Sequence, residues 1–438
     1  MKALKPFGVL FAVAITSCYF FPFILASLPL ANSKMILAVI GLVLLGISLT
    51  KSGNGIFDRD FLDVSLWAFA VSFIAFISIT INHTPDNTFT TYFMSMWVWL
   101  GGSYAVIRLI KAIHGGISVQ LVVSYLLAVC VLQCILALVF DNFPAASQWH
   151  KSTFSGEGYM GNTDEDRLHG IGCSLDVAGF RFASVIVMAS YITYLSFRKN
   201  KYFPVVIYLC AIFFITIVGD MISRSTIVGI GVALSFLIII SIFQRGNSRL
   251  FMIIASVIAI TVVISTYLYN TNEVFKDNLR FGFEGFFSLF EKGEWQTNSN
   301  DILKNMVVWP NNAKTWLIGD GYINNPIDNS LETFDPYYVG EIYGGYYKGT
   351  DIGYLRYIFY FGLVGLVAFS LFFIQVCAIC IRRFEIFKWM FIMMLAINFI
   401  QWFKVSTDLF VVFAPFLCIS AKENDDYLKI SSENLEKK

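Results

Sequence analysis

The chain has 438 residues, of which 57% are hydrophobic and 14% charged, and its formal net charge is +1. A soluble fold of this size does not need so many apolar residues. A nearly neutral charge balance gives no general attraction for nucleic acid. The composition therefore predicts a polytopic membrane protein.

A helix needs about 17–25 apolar residues to cross a bilayer. Runs of roughly this length occur at 8–28, 31–50, 61–81, 91–110, 117–140, 180–197, 205–222, 226–243, 250–269, 354–380, 388–403 and 407–420. The first run is interpreted as a retained helix, because Ala26-Ser27-Leu28-Pro29 lacks a typical signal-peptidase site. We expect an all-α protein with about twelve transmembrane helices, with one integral membrane domain over 1–420. The polar tail 421–438 is expected to be disordered.

Lysine and arginine are more frequent in cytoplasmic connections. With the amino terminus inside, the cytoplasmic side holds Lys51, Arg59, Arg108, Lys111, Arg198, Lys199, Lys201, Arg245, Arg249, Arg382, Arg383 and Lys388. The short outer connections hold Lys34, Arg224 and Lys404. Both termini are therefore predicted to lie in the cytoplasm.

Two connections, 141–179 and 270–350, are predicted to be long extracytoplasmic loops. Loops of this length are usually functional or disordered, and the aromatic content of these two favours order. The larger loop contains 11 acidic and 6 basic residues. Any site for an anion must therefore be local.

Signals for a cofactor or a metal are weak. There is no GxxxxGK[ST] phosphate loop, and His83, His114, His150 and His169 are scattered rather than spaced as metal ligands. We expect neither ATP nor zinc. Asp58-Arg59-Asp60 resembles a carboxylate pair, but its place in a short turn favours a solvated anchor at a helix end.

Arg224 lies between two apolar runs, on the side that is otherwise poor in positive charge. A charge within or beside the hydrocarbon is costly and usually lines a polar cavity. A guanidinium binds two phosphate oxygens at once and keeps its charge. Asp220, four residues earlier, offers an intrahelical ion pair instead. Both roles remain open for Arg224.

A second cluster runs from Tyr343 to Tyr357 and enters the tenth apolar run. Thr350 or Asp351 is a suitable N-cap, and an anion near it would meet the free amides of the helix terminus. Arg356 follows one to two turns later. Asp351 is either a cap or a general base. The tyrosines suit stacking on sugars, but also an interfacial aromatic belt.

The third cluster is Arg167-Leu168-His169-Gly170 and the following residues up to Phe182. Arg181 lies at the outer end of the sixth apolar run, just as Arg224 and Arg356 lie at the outer ends of apolar runs. Three arginines at one boundary favour a shared anionic site over three separate anchors.

With these clusters the chain resembles the O-antigen and capsular polysaccharide polymerases, integral membrane glycosyltransferases often called Wzy-type, with a GT-C-like architecture. The segments that carry the resemblance are Asp351-Ile352-Gly353-Tyr354-Leu355-Arg356, Phe361-Gly362-Leu363-Val364-Gly365, Trp316-Leu317-Ile318-Gly319-Asp320-Gly321-Tyr322, Ser223-Arg224-Ser225 and Arg167-Leu168-His169-Gly170. At the level of architecture the resemblance covers most of the chain, and its motifs are moderately specific.

The resemblance implies an enzyme of the bacterial cytoplasmic membrane that joins oligosaccharide repeat units carried on undecaprenyl pyrophosphate, without nucleotide or metal. Arginines would stabilise the departing pyrophosphate. The residues implied for catalysis and for substrate binding are Arg224, Arg356, Asp351, His169, Arg181, Arg167, Tyr354 and Glu341. Membrane lipids, a flippase and a chain-length regulator are the implied partners, and nucleic acid is not.

Two alternatives remain open. O-antigen ligases resemble the polymerases and transfer a finished glycan to lipid A core, but they typically place a histidine where this chain has Asp351. His169 or Glu341 also remains possible as the base, and so does a reaction without a dedicated base. A lipid-linked oligosaccharide flippase or another transporter would have a similar number of helices, with its charged or broken helices near the bilayer midplane.

Overall fold

The structure is a computed structural model that describes residues 5–51, 59–155, 168–243, 248–331, 333–343 and 345–436. It is mostly helical. The helices are α1 (Lys5–Phe20), α2 (Ser33–Lys51), α3 (Arg59–Asn82), α4 (Tyr92–His114), α5 (Val119–Asn142), α6 (Pro144–Thr153), α7 (Leu175–Arg198), α8 (Tyr202–Ile222), α9 (Ile227–Phe243), α10 (Ser248–Thr271), α11 (Glu273–Gly282), α12 (Glu284–Lys292), α13 (Asn298–Asn305), α14 (Ala313–Leu317), α15 (Gly353–Arg383), α16 (Lys388–Gln401), α17 (Phe410–Leu417) and α18 (Ala421–Glu436). Three short strands, β1 (Ile24–Leu25), β2 (Leu28–Asn32) and β3 (Phe154–Ser155), form a small antiparallel sheet in the order β2-β1-β3.

Each of the twelve apolar runs overlaps a helix, although the run 8–28 continues beyond α1 into β1 and the run 407–420 contains only the eight residues of α17. Among the described residues, seven helices are long and apolar enough to cross a membrane, namely α3, α4, α5, α7, α8, α10 and α15. The apolar helices α1, α2 and α9 are shorter, and α16 and α17 have 14 and 8 residues. The helix α1 ends at Phe20, before Pro22, because a proline disfavours helical geometry in the residue before it. These helices agree with an all-α membrane protein.

The helix α7 forms the centre of the core. Almost every residue from Ala178 to Tyr194 is buried, and α7 packs against α5, α8, α9 and α16. A helix that is buried on all sides needs no polar face. The first turn of α7 is therefore held firmly by the surrounding helices.

The long helix α15 is broken at Phe361 and Gly362. Gly362 has φ 69° and ψ −173°, and the segment that follows α14 packs into the break. A Cβ atom at Gly362 would lie 2.2 Å from the backbone of Leu317, and one at Gly319 would lie 2.5 Å from the backbone of Tyr360. Both positions require glycine, because the backbones meet there and both φ angles are positive.

The break frees two carbonyl groups of α15, which must find other donors. Phe359 O accepts from Asp320 N at 2.5 Å, and Tyr360 O accepts from Gly321 N at 3.1 Å. Ser78 Oγ of α3 also donates to Tyr360 O at 2.6 Å. The Trp316–Tyr322 and Phe361–Gly365 motifs of the sequence are thus two halves of one packing arrangement.

The two ends of the helical bundle differ. The end that we call the loop end holds α6 and α11–α14, so the long segment 270–350 contains the order that its aromatic content predicts. The opposite end holds the α4–α5 connection, the residues between α15 and α16, and the start of α18. There Asp60 accepts hydrogen bonds from Arg382 and Arg383. Asp60 thus anchors a helix end, but the prediction that it is solvated was wrong, because Asp60 is buried beside these two arginines. Asp58 lies outside the described residues.

The prediction of a disordered tail was wrong for residues 421–436, which form α18. Glu423 pairs with Lys111 at 2.5 Å, and Asn424 Oδ1 accepts from Val119 N at 3.1 Å. A polar sequence predicted disorder because it buries little apolar surface. The α4–α5 connection supplies the partners that the composition could not reveal.

Candidate functional site

A small cavity opens at the loop end of the bundle, and we call it the charged cleft. Its volume is about 150 Å³, and it is lined by Asp176, Ser223, Arg224, Phe281, Ile302, Leu303, Met306, Asp351 and Lys404. These residues come from the first turn of α7, the α8–α9 connection, α11, α13, the residues before α15 and those after α16. The fold therefore brings together charges that are far apart in the sequence.

Asp176 lies in the first turn of α7, where the helix dipole favours a negative charge. Its Oδ1 accepts from Lys404 Nζ at 2.7 Å. It also accepts from Ser225 Oγ at 2.8 Å and from Ser223 Oγ at 3.1 Å. Asp176 thereby fixes Lys404 and the turn that carries Arg224. Its side chain belongs to the buried framework of the cleft.

Arg224 does not make the predicted ion pair with Asp220. The helix α8 ends at Ile222 and Ser223 is extended, so the helical register that would pair the two residues is lost. Arg224 instead forms an ion pair with Glu284 of α12, and its guanidinium lies 4.6 Å from the ring centre of Phe281. This pair connects the α8–α9 turn to the 270–350 segment.

Arg356 lies in the first turn of α15 and is 8% exposed. Its Nη1 donates to Asp351 Oδ1 at 3.3 Å, and its Nη2 donates to Asn324 Oδ1 at 2.9 Å and to Ile323 O at 3.2 Å. Its guanidinium stacks 4.0 Å from the ring centre of Tyr346. The Nε atom is buried, and no described residue accepts a hydrogen bond from it. One buried donor of Arg356 therefore has no partner among the described residues.

The prediction that Thr350 or Asp351 caps α15 was wrong. The N-cap is Ile352, which makes no side-chain capping bond. Thr350 Oγ1 instead accepts from Ile352 N at 3.3 Å, which turns the Asp351 carboxylate toward Arg356. Burial raises the pKa of Asp351 to about 6, although Arg356 acts to lower it. A carboxylate with this pKa is suited to general base catalysis near neutral pH.

The α3–α4 connection holds the segment that positions Arg356. Three hydrogen bonds join alternate residues of 82–86, which begin at the last residue of α3, to alternate residues of 319–323. Asn82 Nδ2 donates to Gly319 O (3.1 Å), and Thr84 Oγ1 donates to Gly321 O (2.9 Å). Ile323 N donates to Asp86 Oδ2 (2.9 Å). Asp86 is fully buried, and burial raises its pKa. Because Ile323 O accepts from Arg356, the connection helps to fix the guanidinium. No sequence pattern had indicated this role.

Two predicted site residues pack elsewhere. Arg181, in the second turn of α7, donates to Phe20 O at 2.5 Å and lies 5.6 Å from the ring centre of Trp99. Tyr354 donates to Phe399 O at 2.9 Å, which ties α15 to α16. Neither residue lines the charged cleft. Of the three arginines, only Arg224 and Arg356 contact the lining of one cavity.

The remaining predicted residues also lie outside the cleft lining. His169 packs with its ring centre 5.0 Å from that of His150, beside Phe140. Glu341 is exposed and accepts from Tyr343 Oη at 2.5 Å. Arg167 lies outside the described residues. These positions do not place His169 or Glu341 beside Asp351.

Asp176, Lys404 and Glu284 complete the site, and none was predicted as a site residue. Lys404 had a weak signal, because it is one of few cations in the short outer connections. Glu284 had none, since it is one of many acidic residues in its segment. Within the described residues, no group of three or more His, Cys, Asp or Glu side chains is arranged to hold a metal ion.

The charges of the site are balanced in pairs. Each of the three cations faces one carboxylate, in the pairs Arg224 with Glu284, Lys404 with Asp176, and Arg356 with Asp351. The side chains of these pairs are 9–30% exposed, so each pair is partly buried, and breaking one would leave a partly desolvated charge without its partner. An anionic ligand would therefore have to replace a carboxylate as the partner of a cation.

Comparison of the chain with protein-family models, with curated proteins and with solved structures finds no match.

Proposed function

We propose that the protein is a membrane glycosyltransferase that polymerises oligosaccharide repeat units carried on undecaprenyl pyrophosphate. The product would be an O-antigen, a capsule or an exopolysaccharide. The charged cleft carries the proposal, because Arg224 and Lys404 line it together with Asp351, whose pKa is about 6, and Arg356 lies beside it as the ion-pair partner of Asp351. This is the set of groups needed to hold a pyrophosphate and to accept a proton.

The reaction needs one bond to form and one to break. The acceptor hydroxyl oxygen attacks the anomeric carbon of the donor sugar, while the bond from that carbon to the pyrophosphate oxygen breaks. The leaving pyrophosphate keeps the electron pair, and Asp351 accepts the hydroxyl proton. Arg224 and Arg356 would stabilise the charge that develops on the leaving oxygen, as preorganised donors do in a site of low dielectric.

The size of the cleft fits the charged group rather than the glycan. The volume of the cleft, about 150 Å³, is well below the roughly 300–1,000 Å³ of pockets that enclose drug-sized ligands. A pyrophosphate is of the size of the cleft, whereas a sugar chain is larger. The sugars would lie along the 270–350 segment, where exposed aromatic rings such as those of Trp309 and Tyr337 are available for stacking.

We place the loop end outside the bacterial cytoplasmic membrane and both termini in the cytoplasm. In this orientation the twelve apolar helices alternate between the two ends, with α16 and α17 as a short final pair. The positive-inside rule supports this orientation.

Cysteines introduced near Asn298 should react with a membrane-impermeant reagent in spheroplasts, and those near Asn200 should stay protected. The reverse pattern would contradict the orientation.

The reaction can be tested with purified protein and lipid-linked repeat units in detergent, where no compartments exist. We expect a series of lengthening products without added ATP or divalent metal, and none from Arg356→Ala protein that melts normally. Transfer of a finished glycan to lipid A core would indicate the ligase instead. A folded protein that makes no product but moves the lipid across vesicles would be a transporter.

The break in α15 is the one feature that favours transport, since transporters build their sites from broken helices. In a transport site the freed carbonyls would face a cavity. Here Asp320, Gly321 and Ser78 take up the carbonyls of Phe359 and Tyr360. The break therefore supports the polymerase proposal, because it places the 319–323 segment beside Arg356.

A further inference from the structure

A groove of about 910 Å³ lies at the opposite end of the bundle, between α7, α9 and α16. Its residues are Tyr191, Tyr194, Leu195, Arg198, Gly231, Val232, Ser235, Phe236, Ile239, Glu385, Ile386, Lys388, Trp389, Ile392 and Met393. Asp176 lies in the first turn of α7 and Arg198 ends the same helix, so nearly the whole length of α7 separates the groove from the charged cleft. The groove has no part in the site described above.

The rim of the groove carries two cations and one carboxylate, and no described carboxylate forms an ion pair with either cation. Arg198 ends α7 and Lys388 begins α16, and both are exposed. Among the described residues neither forms an ion pair, although Glu385 lies in the same rim. Arg198 lies 6.0 Å from the ring centre of Tyr194, and Lys388 lies 5.7 Å from that of Trp389. Two cations in this arrangement attract an anion.

The walls of the groove are apolar and aromatic. Val232, Phe236 and Ile239 follow one face of α9, because residues three and four positions apart lie on the same side of a helix. Ile239 is 54% exposed and Ile392 41% exposed. Tyrosine and tryptophan beside cations are typical of the boundary between lipid headgroups and acyl chains. The groove therefore offers a charged rim above an apolar wall.

We propose that this groove binds one anionic glycerophospholipid. Its phosphate would lie between Arg198 and Lys388, with the guanidinium contacting two phosphate oxygens and the ammonium acting as a point charge. One acyl chain would lie along α9 against Val232, Phe236 and Ile239. A basic pocket between membrane helices is a known type of site for anionic headgroups. The site depends on neither the proposed reaction nor the charged cleft.

The test uses the whole protein in non-ionic detergent, after removal of bound lipid. Phosphatidylglycerol or phosphatidylcholine with identical acyl chains is added, and retained lipid is counted by native mass spectrometry. Each lysine or arginine near a surface contributes about a fivefold preference for an anionic lipid. We expect phosphatidylglycerol to be retained at least about tenfold more strongly than phosphatidylcholine, with a higher melting temperature.

Two variants separate the groove from the general surface charge. The double variant Arg198→Gln/Lys388→Gln should lose the preference for phosphatidylglycerol. The matched control Lys199→Gln/Lys201→Gln removes two cations from the adjoining α7–α8 connection and should keep it. Gly231→Leu places a side chain in the groove, where a Cβ meets no atom within 4 Å, and should reduce retention of both lipids.

Three results would overturn the proposal. Equal retention of the two lipids by the wild type would indicate a groove filled by bulk lipid. If the double variant in the groove and the control double variant lost the preference for phosphatidylglycerol equally, the attraction would come from the general surface charge. Full retention of phosphatidylglycerol by Gly231→Leu protein would show that the lipid lies elsewhere. The melting temperature of each variant without lipid reports whether it is folded, so none of these results is confused with unfolding.

Discussion

Positive charges have different surroundings in the charged cleft and in the groove between α7, α9 and α16, which we call the lipid groove. In the cleft, Arg224 and Lys404 each have a carboxylate partner, and so does Arg356, which lies beside the cleft and pairs with Asp351 of its lining. In the groove, Arg198 and Lys388 have none among the described residues, and both are exposed. Burial accounts for the difference, because a desolvated charge without a partner is far more costly than one in water.

This difference separates two kinds of anion binding. The groove can take an anion directly, since its cations are solvated and pair with no described carboxylate. The cleft can take one only if the anion replaces a carboxylate or if a carboxylate becomes protonated. Asp351, with a pKa of about 6, is the carboxylate closest to giving up its charge. When Asp351 takes up the proton of the acceptor hydroxyl, Arg356 should become free to pair with the leaving pyrophosphate, whereas anion binding in the groove needs no proton.

The largest effect is expected from the arginines of the cleft. Arg224→Ala or Arg356→Ala should lower turnover by about 10²–10³, as the loss of a preorganised oxyanion donor does. Lysine should not restore full activity, because it lacks the two-pronged guanidinium. The control is Arg280→Ala, since Arg280 pairs with Glu291 outside the cleft and should change turnover by less than about twofold. If a folded variant that lacks Arg224 or Arg356 kept wild-type turnover, the proposed pyrophosphate site would be excluded.

The second prediction concerns the pH dependence set by Asp351. If Asp351 is the base, turnover should rise with pH through about 6, and Asp351→Asn should lower it by about 10²-fold and flatten this limb. A rate that stays level from pH 5 to pH 7 in the wild type would exclude Asp351 as the base.

Stability should change in the opposite direction over the same range. The pKa of Asp351 is raised from 3.8 to about 6 in the folded protein, so the folded state binds more protons between these values. The corresponding stability is present below about pH 4 and is lost as the pH rises through 6, by up to about 3 kcal/mol. Asp351→Asn should remove this slope. Melting temperatures between pH 4 and pH 7 measure it.

The third prediction concerns the α3–α4 connection. Asp86→Ala leaves the buried amide of Ile323 without its acceptor, which should cost about 1–3 kcal/mol of stability. Because Ile323 also holds Arg356, we expect kcat to fall about tenfold through misplacement of the guanidinium. Asp86→Asn keeps an acceptor oxygen and should recover most of kcat. The exposed neighbour Asn87→Ala is the control. If Asp86→Ala lowers stability but leaves kcat unchanged, Asp86 has no positioning role.

The smallest effect is expected at the exposed pair that docks α18. The side chains of Lys111 and Glu423 are 35% and 31% exposed, so their ion pair is well solvated. Glu423→Gln should lower the free energy of unfolding by less than about 1 kcal/mol. A larger loss, measured by denaturant unfolding in detergent, would mean that pairs at the opposite end matter as much as those in the cleft.

Whether a feature of the structure could be predicted from the sequence depends on the kind of interaction that creates it. Apolar run length predicted a helix at each of the twelve positions, because a bilayer demands about the same number of apolar residues everywhere. The order in 270–350 followed from aromatic residues that need a surface to pack on. The motifs around Gly319 and Gly362 were visible as motifs, but their contact with each other was not.

Charge pairing was the part that the sequence could not predict. Arg224 had a candidate partner four residues away, yet a single extended residue, Ser223, turned it toward Glu284. Arg181 shares the placement of Arg224 and Arg356 in the sequence, but it lies against Phe20 and Trp99. Neither outcome follows from spacing, because each depends on which helix lies beside the residue.

The sequence by itself determined that the chain is helical, apolar enough for a membrane and supplied with arginines at helix ends. Length, hydropathy and local spacing are sufficient for these properties, because each involves neighbours within one or two helical turns. Only the tertiary structure decided that Asp176, Lys404 and Asp351 line one cavity with Arg224, and that Asp86 helps to hold Arg356. Those contacts join residues that are far apart in the chain, and the helix packing that creates them is set by the whole core.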